Sequence, residues 1–424
     1  MEHSANQKTF RHYLYFMFGQ QFSLLGSNIV GFVITWWITI ETQSPIYLSI
    51  ATFLMFLPQV IITPFAGVLA DRWKRKMIIA SVDSFQALLT LILALFFFIG
   101  FTDIWIVLVV HTLRSVLQAF HVPTFQGIIP SMVPKDKLSR INGTNFLFSG
   151  FIYMVGPILS ALLLELFPIR YIFLIDIITF LIALGPLIII KIPFKPRNII
   201  EIEKRSFFRE FKEGFAVVKA IPGLLSLIIF AMIFNFIFRP FNVLWPYFIN
   251  VIHDGTAFDL AFLFGAMQIG NILGSLITSL KKNWKNKIKI NLIGEMIVFG
   301  AYILIIFAPY RAFFLMMIGG FLGAVTFPIT VATYLTIFQL VVPSDKIGRV
   351  MSIDHMISMA IAPIGAIISG PAASLIGVTN LFLICIIIGI INPIFIWYFS
   401  RIRELDYPKE LEIKITPKSE LIEL

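Results

Sequence analysis

The chain has 424 residues, of which 58% are hydrophobic and 13% charged, and its mean hydropathy is +0.91. Soluble domains carry roughly 25% charged residues, so this composition excludes a water-soluble globular protein and predicts one that lies in lipid. The single cysteine excludes an intramolecular disulfide, while the net charge of +10 makes nucleic acid a partner to test against the placement of the cations.

Apolar runs follow one another along nearly the whole chain. They cover residues 13–40, 46–70, 77–99, 104–130, 141–165, 168–191, 222–250, 257–280, 288–308, 311–340, 347–376 and 379–400. A helix needs about 20 apolar residues to cross a bilayer, whereas the strands of a membrane barrel are about half as long. Because lipid offers no hydrogen bonds, each backbone must satisfy itself within its segment. The sequence therefore predicts an all-α membrane protein with twelve transmembrane helices.

The positive charge lies almost entirely in alternate loops. Of the 33 Lys and Arg residues, all except Arg114, Arg170, Arg239 and Arg311 lie on the side of the two termini. The positive-inside rule therefore predicts that both termini are cytoplasmic, and we expect a multi-pass protein of a prokaryotic plasma membrane. Since this topology accounts for the net charge, lipid rather than nucleic acid is the expected macromolecular environment.

The longest polar stretch, residues 191–221, separates six apolar runs from six more. Within it, Phe208, Phe211, Phe215 and Val218 recur at helical spacing among charged residues. This pattern predicts an amphipathic helix on the inner membrane surface, serving either as a tether between the halves or as a binding element.

The two halves repeat each other. The sequence VPKDKLSR at 133–140 returns as VPSDKIGR at 342–349, and the same offset carries Gly156 onto Gly365. Many secondary transporters consist of two related bundles with the substrate path between them. The expected domains are a six-helix bundle over 1–190, a cytoplasmic linker over 191–221, a second six-helix bundle over 222–402 and a cytoplasmic tail over 403–424.

A dense charge cluster stands between the second and third runs. Gly67–Lys76 reads GVLADRWKRK, with the single carboxylate of Asp71 among four cations. The glycine would let a neighbouring helix approach closely, and a carboxylate is stabilised at a helix N-terminus. The repeat copy keeps a basic loop but has Thr278 in place of the acid.

The loop GVLADRWKRK resembles the signature between the second and third helices of the major facilitator superfamily. Four further segments resemble its macrolide-efflux branch of drug exporters: LRSVLQAFHVPT at 113–124, VPKDKLSR at 133–140, FREFKEGFAVVK at 208–219 and FQLVVPSDKIGRVMS at 338–352. The resemblance implies the fold of that superfamily and secondary active transport. It also implies a conformational latch of Gly67, Asp71, Arg72 and Arg75, in which Asp71 meets the start of the eleventh helix and locks the outward-facing state.

The fourth run carries a polar stripe. His111, Arg114, Gln118 and His121 share one face of a helix. An arginine at the centre of a membrane helix costs about 2.5–3.5 kcal/mol, so Arg114 should face protein or water. By resemblance it matches the arginine of drug–proton antiporters and would take part in coupling; the alternative is a buried arginine that ties helices together.

Helices one, four, seven and ten line the central cavity in the superfamily that the chain resembles. The polar residues expected at this cavity are Gln21, Asn28, His111, Gln118, His121, Asn235, Arg239, Asn242, Gln268, Asn271, Thr330 and Tyr334. Small polar residues can equally serve as contacts between helices, and Arg239 either lines the path or extends to the outer headgroups. Aromatic and small polar groups with few charges suit bulky apolar or cationic molecules.

Two further features bear on the direction of transport and its coupling. Gly156 and Pro157 resemble the antiporter motif that exporters of the superfamily carry in the fifth helix. Coupling to protons requires a buried acid that can take up a proton near neutral pH. The candidates are Asp83, Asp176, Glu295 and Asp354, and of these we favour Asp83 and Asp176.

The expected function is export of drug-like or amphiphilic small molecules by alternating access, in exchange for protons or Na⁺. We expect a monomer that uses neither a cofactor nor a metal. No histidine pairs with a second ligand at metal-binding spacing, which argues against an enzyme. The alternatives are an uptake symporter for a nutrient and a membrane receptor that transports nothing.

Overall fold

The computed structural model describes residues 7–193, 207–281 and 284–406, and within these ranges it contains helices and no β-strand. The helices, in chain order, are Gln7–Thr42 (α1), Pro45–Arg72 (α2), Arg75–Phe98 (α3), Ile104–Met132 (α4), Leu138–Leu166 (α5), Ile169–Ile189 (α6), Phe207–Ala220 (α7), Leu224–Tyr247 (α8), Ala257–Leu280 (α9), Lys287–Ile306 (α10), Phe313–Val341 (α11), Ile347–Ile376 (α12) and Val378–Phe399 (α13). A π-helical turn, Phe248–Ile252, extends α8.

Twelve helices in the described part of the chain are long and apolar enough to span a membrane, and they include every helix except α7. They correspond one to one with the twelve apolar runs, so the predicted fold class is confirmed. Several helices extend beyond the apolar runs; α1, for example, begins at Gln7. A helix can continue past the hydrocarbon layer because water then solvates its polar side chains.

The helices pack in two groups, α1–α6 (the N-terminal half) and α8–α13 (the C-terminal half). Small residues allow close packing inside each half, as is common between membrane helices. A Cβ atom added to Gly19 of α1 would lie 3.2 Å from the Cα of Ala183 in α6. One added to Gly270 of α9 would lie 3.0 Å from the Cβ of Ala324 in α11.

The two halves touch at one end of the molecule and separate at the other. We call the end where α2 finishes and α3, α5 and α12 begin the basic face, and the other end the opposite face. At the opposite face α2 packs closely against α12. A Cβ added to Gly370 of α12 would lie 2.7 Å from the carbonyl oxygen of Pro45 in α2. Ser49 of α2 is 0% exposed there, whereas Gly67, about five turns further along the same face of α2 and near the basic face, has no described atom within 4 Å of an added Cβ. The space between the halves therefore opens towards the basic face.

The position of the linker helix α7 corrects one expectation. Its apolar face was predicted to lie on the membrane surface, but Val218 is 0% exposed and packs in a cluster with Leu224 and Val350 of the C-terminal half. A Cβ added to Gly214 would lie 3.3 Å from the Cβ of Arg349. Protein covers this part of the helix because α12 offers it an apolar surface. The side chains of residues 207–211 lie outside the described part.

Candidate functional site

A cavity of about 640 Å³, the central cavity, lies between the two halves. The N-terminal half contributes side chains of α1, α2, α4 and α5, and the C-terminal half contributes side chains of α8, α9, α10 and α11. The four helices expected from the family resemblance (α1, α4, α8 and α11) are all among them. Because opposite walls belong to different halves, any movement of one half against the other changes the cavity.

The structure places half of the expected polar residues at this cavity. Those that line it are Asn28, His111, Arg239, Asn242, Gln268 and Asn271. Aromatic side chains that the sequence did not single out share the lining, among them Tyr153, Trp245 and Tyr302. In a chain with 15% aromatic residues no sequence signal separates these rings from lipid-facing ones.

The other expected cavity residues lie elsewhere, which corrects the prediction. Gln118 and His121 face neighbouring helices of the N-terminal half, because polar groups of those helices satisfy them there. Gln21 is buried outside the cavity lining. Asn235, Thr330 and Tyr334 line a second cavity, described below.

Arg239 is the one Lys, Arg, Asp or Glu residue among the described residues of the central lining. Its guanidinium carbon lies 4.5 Å from the centre of the Phe56 ring in α2, so a cation–π contact joins the two halves. Its Nε atom is buried and has no hydrogen-bond partner within the described structure. A cavity with this cation and no carboxylate does not by itself attract a cationic molecule, which corrects that part of the prediction.

The glycine pair of the sequence repeat supports the two walls of the central cavity. A Cβ added to Gly156 of α5 would lie 3.0 Å from the Cγ of Asn28. A Cβ added to Gly365 of α12 would lie 2.9 Å from the Cγ of Arg239. Each glycine therefore makes room for a polar side chain of the cavity, and the adjacent Pro157 lines the cavity itself.

Arg114 lies in a buried network behind the N-terminal wall. Its Nη1 atom lies 2.5 Å from Oδ2 of Asp176 in α6, and it also donates to the hydroxyl of Thr90 in α3. The hydroxyl of Ser27 donates to the other carboxylate oxygen, Oδ1 of Asp176, at 3.3 Å. Since Ser27 lines the central cavity, a chain of polar contacts connects that cavity to the ion pair.

A second network surrounds Asp83 of α3. The amide of Gln20 donates to Oδ2 of Asp83 at 3.0 Å, and Nε2 of His121 lies 3.5 Å from Oδ1. The carbonyl oxygen of Gln20 also contacts Nε2 of His121 at 2.8 Å. This network does not reach the described lining of the central cavity.

Sequence reasoning missed Gln86 and Thr90 of these networks, although their spacing from the predicted Asp83 carried a signal. Asp83, Gln86 and Thr90 stand at i, i+3 and i+7 of the third run and so share one helix face. Gln86 donates to Oε1 of Gln118 at 3.2 Å, which joins this stripe to the stripe of α4. Gln20 and Ser27 stand next to the predicted cavity residues Gln21 and Asn28. The sequence does not show which member of each pair faces the cavity, because that depends on the rotation of α1 about its axis.

A second cavity of about 290 Å³, the side pocket, lies within the C-terminal half between α8, α10, α11 and α12. Its polar lining consists of Asn235, Asn291, Glu295, Thr330, Tyr334, Asp354 and Ser358. It shares the side chains of Val298 and Phe327 with the central cavity. The two cavities are therefore neighbours, and the side pocket is the one nearer the basic face.

The loop of the predicted latch lies at the basic face. Arg75 donates through Nη1 to the carbonyl oxygen of Gly127 in α4 and through Nε to Ala70 at 3.3 Å. Arg72 is exposed, and the side chain of Asp71 lies outside the described part of the structure. No described atom lies within 4 Å of a Cβ added to Gly67, so the close helix approach expected there is absent from this conformation.

The twelve spanning helices, the two halves and the cavity between them define a polytopic membrane transporter. The sequence profile of the Major Facilitator Superfamily matches residues 16–359. The chain belongs to the major facilitator superfamily.

Individual relatives agree with this membership. Macrolide efflux protein A of Streptococcus pyogenes is 29% identical over 393 residues, which cover 92% of this chain and 96% of the relative. The Staphyloferrin A transporter of Staphylococcus aureus is 23% identical over 401 residues, which cover 91% of this chain and 96% of that protein. The predicted resemblance to macrolide-efflux proteins is confirmed.

Solved structures share the fold at low sequence identity. A bacterial homologue of the iron transporter ferroportin, in an inward-facing state, superposes with a TM-score of 0.69 at 12% identity. The match covers 91% of this chain and 98% of that one. The nucleoside transporter NupG superposes with a TM-score of 0.68 at 12% identity over the same shares of the two chains.

Proposed function

We propose that the protein exports drug-like or amphiphilic small molecules from the cytoplasm of a prokaryotic cell by alternating access. The observation that carries this proposal is the central cavity, which lies between two halves that, in the described structure, pack together at the opposite face and separate towards the basic face. The basic face holds the cations of the loops, so the positive-inside rule assigns it, with both termini, to the cytoplasm. Similarity to Macrolide efflux protein A supports export rather than uptake.

The central lining favours molecules with an apolar body and oxygen acceptors. Arg239 and the side-chain amides of Asn242, Gln268 and Asn271 can donate hydrogen bonds, while the rings of Trp245 and Tyr302 supply apolar surface. A bulky amphiphile with carbonyl or hydroxyl groups meets both needs. A macrolide antibiotic, the molecule in the name of the relative, is one example.

Transport requires the halves to close at the basic face. The bundles 1–190 and 222–402 would rock about the cavity, joined by the linker 191–221 and followed by the tail 403–424. The resemblance assigns the latch of the outward-facing state to Gly67, Asp71, Arg72 and Arg75. A monomer in the plasma membrane is sufficient for this mechanism, because both walls of the cavity come from one chain.

Coupling to protons is assigned first to Asp176 and Arg114 and second to Asp83. Asp176 accepts a hydrogen bond from Ser27 of the cavity wall, so a bound substrate can change the surroundings of the carboxylate. Asp83 lacks such a link in the described contacts. Gly156 and Pro157, which belong to the antiporter motif by resemblance, stand in the same wall and support exchange over symport. Na⁺ is the alternative coupling ion.

A flux measurement tests the proposal. Everted membrane vesicles that contain the protein should accumulate a radiolabelled macrolide when their interior is made acidic, and vesicles without the protein should not. Asp71→Asn should abolish this flux while leaving macrolide binding unchanged, because it removes the latch and no side chain of the cavity.

Other results of the same measurement overturn parts of the proposal. Accumulation in right-side-out vesicles under an inward proton gradient would identify an uptake symporter. Flux that depends on a Na⁺ gradient and not on pH would identify Na⁺, instead of the proton, as the coupling ion. Binding without flux in either orientation would identify a receptor, and normal flux by Asp71→Asn would exclude the latch.

A further inference from the structure

The two side-chain amides that line the side pocket already donate hydrogen bonds within the protein. The side-chain amide of Asn235 donates to the carbonyl oxygen of Ala231 at 2.9 Å, and that of Asn291 donates to a hydroxyl of α11 at 2.8 Å. Oε1 of Glu295 accepts from Asn392 at 2.9 Å. Glu295 is only 3% exposed, and its other carboxylate oxygen, Oε2, has no hydrogen-bond partner within the described structure. An unpaired buried carboxylate oxygen needs a donor or a cation.

A second carboxylate lines the same pocket. Oδ1 of Asp354 in α12 accepts from the hydroxyl of Tyr334 at 2.5 Å. The described lining of the pocket contains no Lys, Arg or His residue. A positively charged ligand would supply the partner that the described lining does not give these two acids, and it would hold both of them in the carboxylate form.

Aromatic rings and size indicate an organic cation. Phe230, Phe234, Phe327 and Tyr334 line the pocket, and aromatic faces attract alkylammonium groups through cation–π contacts. The volume of about 290 Å³ exceeds the space that a bare metal ion needs and accommodates an amine with its alkyl substituents.

The position of the pocket relates it to the central cavity. The side chains of Val298 and Phe327 line both spaces. The side pocket carries acids and the central cavity carries Arg239, so the two differ in sign of charge. A molecule that occupies both would place its positive end in the side pocket and its oxygen acceptors near Arg239.

We propose that the side pocket binds the ammonium group of a basic amphiphile whose body occupies the central cavity. Glu295 and Asp354 are the binding residues for the charge, and the carbonyl oxygens of Asn235 and Asn291 complete the set of acceptors. This assignment rests on the proposed export of amphiphiles and specifies their chemical class as amines. A neutral amphiphile would use the central cavity alone.

A matched pair of fluorescent probes tests the assignment. Trimethylammonium-diphenylhexatriene and uncharged diphenylhexatriene have the same body and differ in one ammonium group. Binding to the purified full-length protein is measured by energy transfer from tryptophan, since Trp245 lines the central cavity. The wild type should bind the charged probe more tightly than the neutral one.

Neutralising either acid should remove this preference. Glu295→Gln and Asp354→Asn should each weaken binding of the charged probe by about thirtyfold, the loss typical of a buried charge partner, and leave the neutral probe unaffected. Glu165→Gln is the control, because it removes a carboxylate at the exposed end of α5 and touches neither cavity. It should bind both probes as the wild type does.

Each other outcome contradicts the assignment. Unchanged binding of the charged probe by both variants would exclude the side pocket, and equal loss of both probes would mean that the acids only maintain the structure. Displacement of the charged probe by millimolar NaCl from the wild type, but not from Glu295→Gln, would identify a metal-cation site instead. Binding of the two probes needs no transport, and export is read from flux in vesicles, so failure of export and failure of the ammonium site are distinguishable.

Discussion

In the N-terminal half the buried charged side chains contact charged or polar partners from neighbouring helices. In the C-terminal half the buried acids line a cavity. Arg114 lies 2.5 Å from Asp176, and Asp83 contacts Gln20 and His121. In the other half, Glu295 and Asp354 line the side pocket. A buried ion pair can contribute to structure and to coupling within the protein. A buried acid without a cationic partner can instead bind the positive charge of a ligand. The contrast supports the two proposals that coupling belongs to the first half and recognition of ligand charge to the second.

Separating the Arg114–Asp176 pair should have the largest effect. Arg114→Gln or Asp176→Asn alone leaves one buried charge without its partner, at a cost of about 3–5 kcal/mol in stability. The double substitution removes both charges and should recover most of this loss. Apparent melting temperatures of the detergent-solubilised variants measure the effect.

The exposed Asp254–Arg311 pair of the C-terminal half provides the control for the buried pair. Its side chains are 64% and 58% exposed, so Arg311→Gln should cost at most about 1 kcal/mol. Equal losses for Arg311→Gln and Arg114→Gln would mean that the buried pair has no special structural role. A double variant no more stable than the singles would contradict the pairing.

The repeat glycines allow the two cavity walls to be compared directly. In Gly365→Ala the new methyl group meets Cβ and Cγ of Arg239, near the root of that side chain. In Gly156→Ala it meets the amide end of Asn28, which can rotate away. We expect a loss of about 1–3 kcal/mol for Gly365→Ala and a smaller loss for Gly156→Ala. Thermal unfolding measures both.

A third glycine tests whether the loss of stability on Gly→Ala substitution is specific to the walls of the central cavity. Gly143 lies in α5 with no described atom within 4 Å of an added Cβ, so Gly143→Ala should be neutral or stabilising by up to about 1 kcal/mol. Asn28→Ala combined with Gly156→Ala should restore the stability lost at that wall. A larger loss for Gly156→Ala than for Gly365→Ala would reverse the comparison.

Hydropathy and charge predicted the twelve helices, because crossing lipid demands long apolar segments whatever their packing. Rotation of each helix about its axis was harder to predict. Of the three residues of the α4 stripe that were predicted to line the central cavity, only His111 does so, while Gln118 and His121 pair with side chains of α3 and α1. Which neighbour satisfies a polar group depends on contacts between distant segments, and single-helix periodicity does not contain them.

The acids of the C-terminal half show the same limit. Glu295 and Asp354 were recognised as buried candidates for coupling, but their arrangement around one pocket requires α10 and α12 to flank α8 and α11. Arg239 left two alternatives open, and the structure places it at the cavity over Phe56 of the other half. The local sequence around a residue does not predict contacts of this kind between the two halves.

The smallest expected effect concerns the connection at the opposite face. In the C-terminal half this connection holds His253, which is buried against Phe248 with ring centres 4.7 Å apart. The corresponding connection of the N-terminal half is Gln43 and Ser44, which do not titrate. Burial lowers the pKa of His253 below its usual value, so acid affects the two connections differently.

The unfolded chain takes up a proton at His253 once the pH falls below about 6.5, whereas the folded protein resists protonation there. The contribution of neutral His253 to stability is therefore complete at pH 7.5 and decreases as the pH falls through the range between the unfolded and folded pKa values. His253→Phe should reduce the drop in melting temperature between pH 7.5 and 5.5. An unchanged pH dependence in His253→Phe would show that protonation elsewhere controls the acid stability of the C-terminal half.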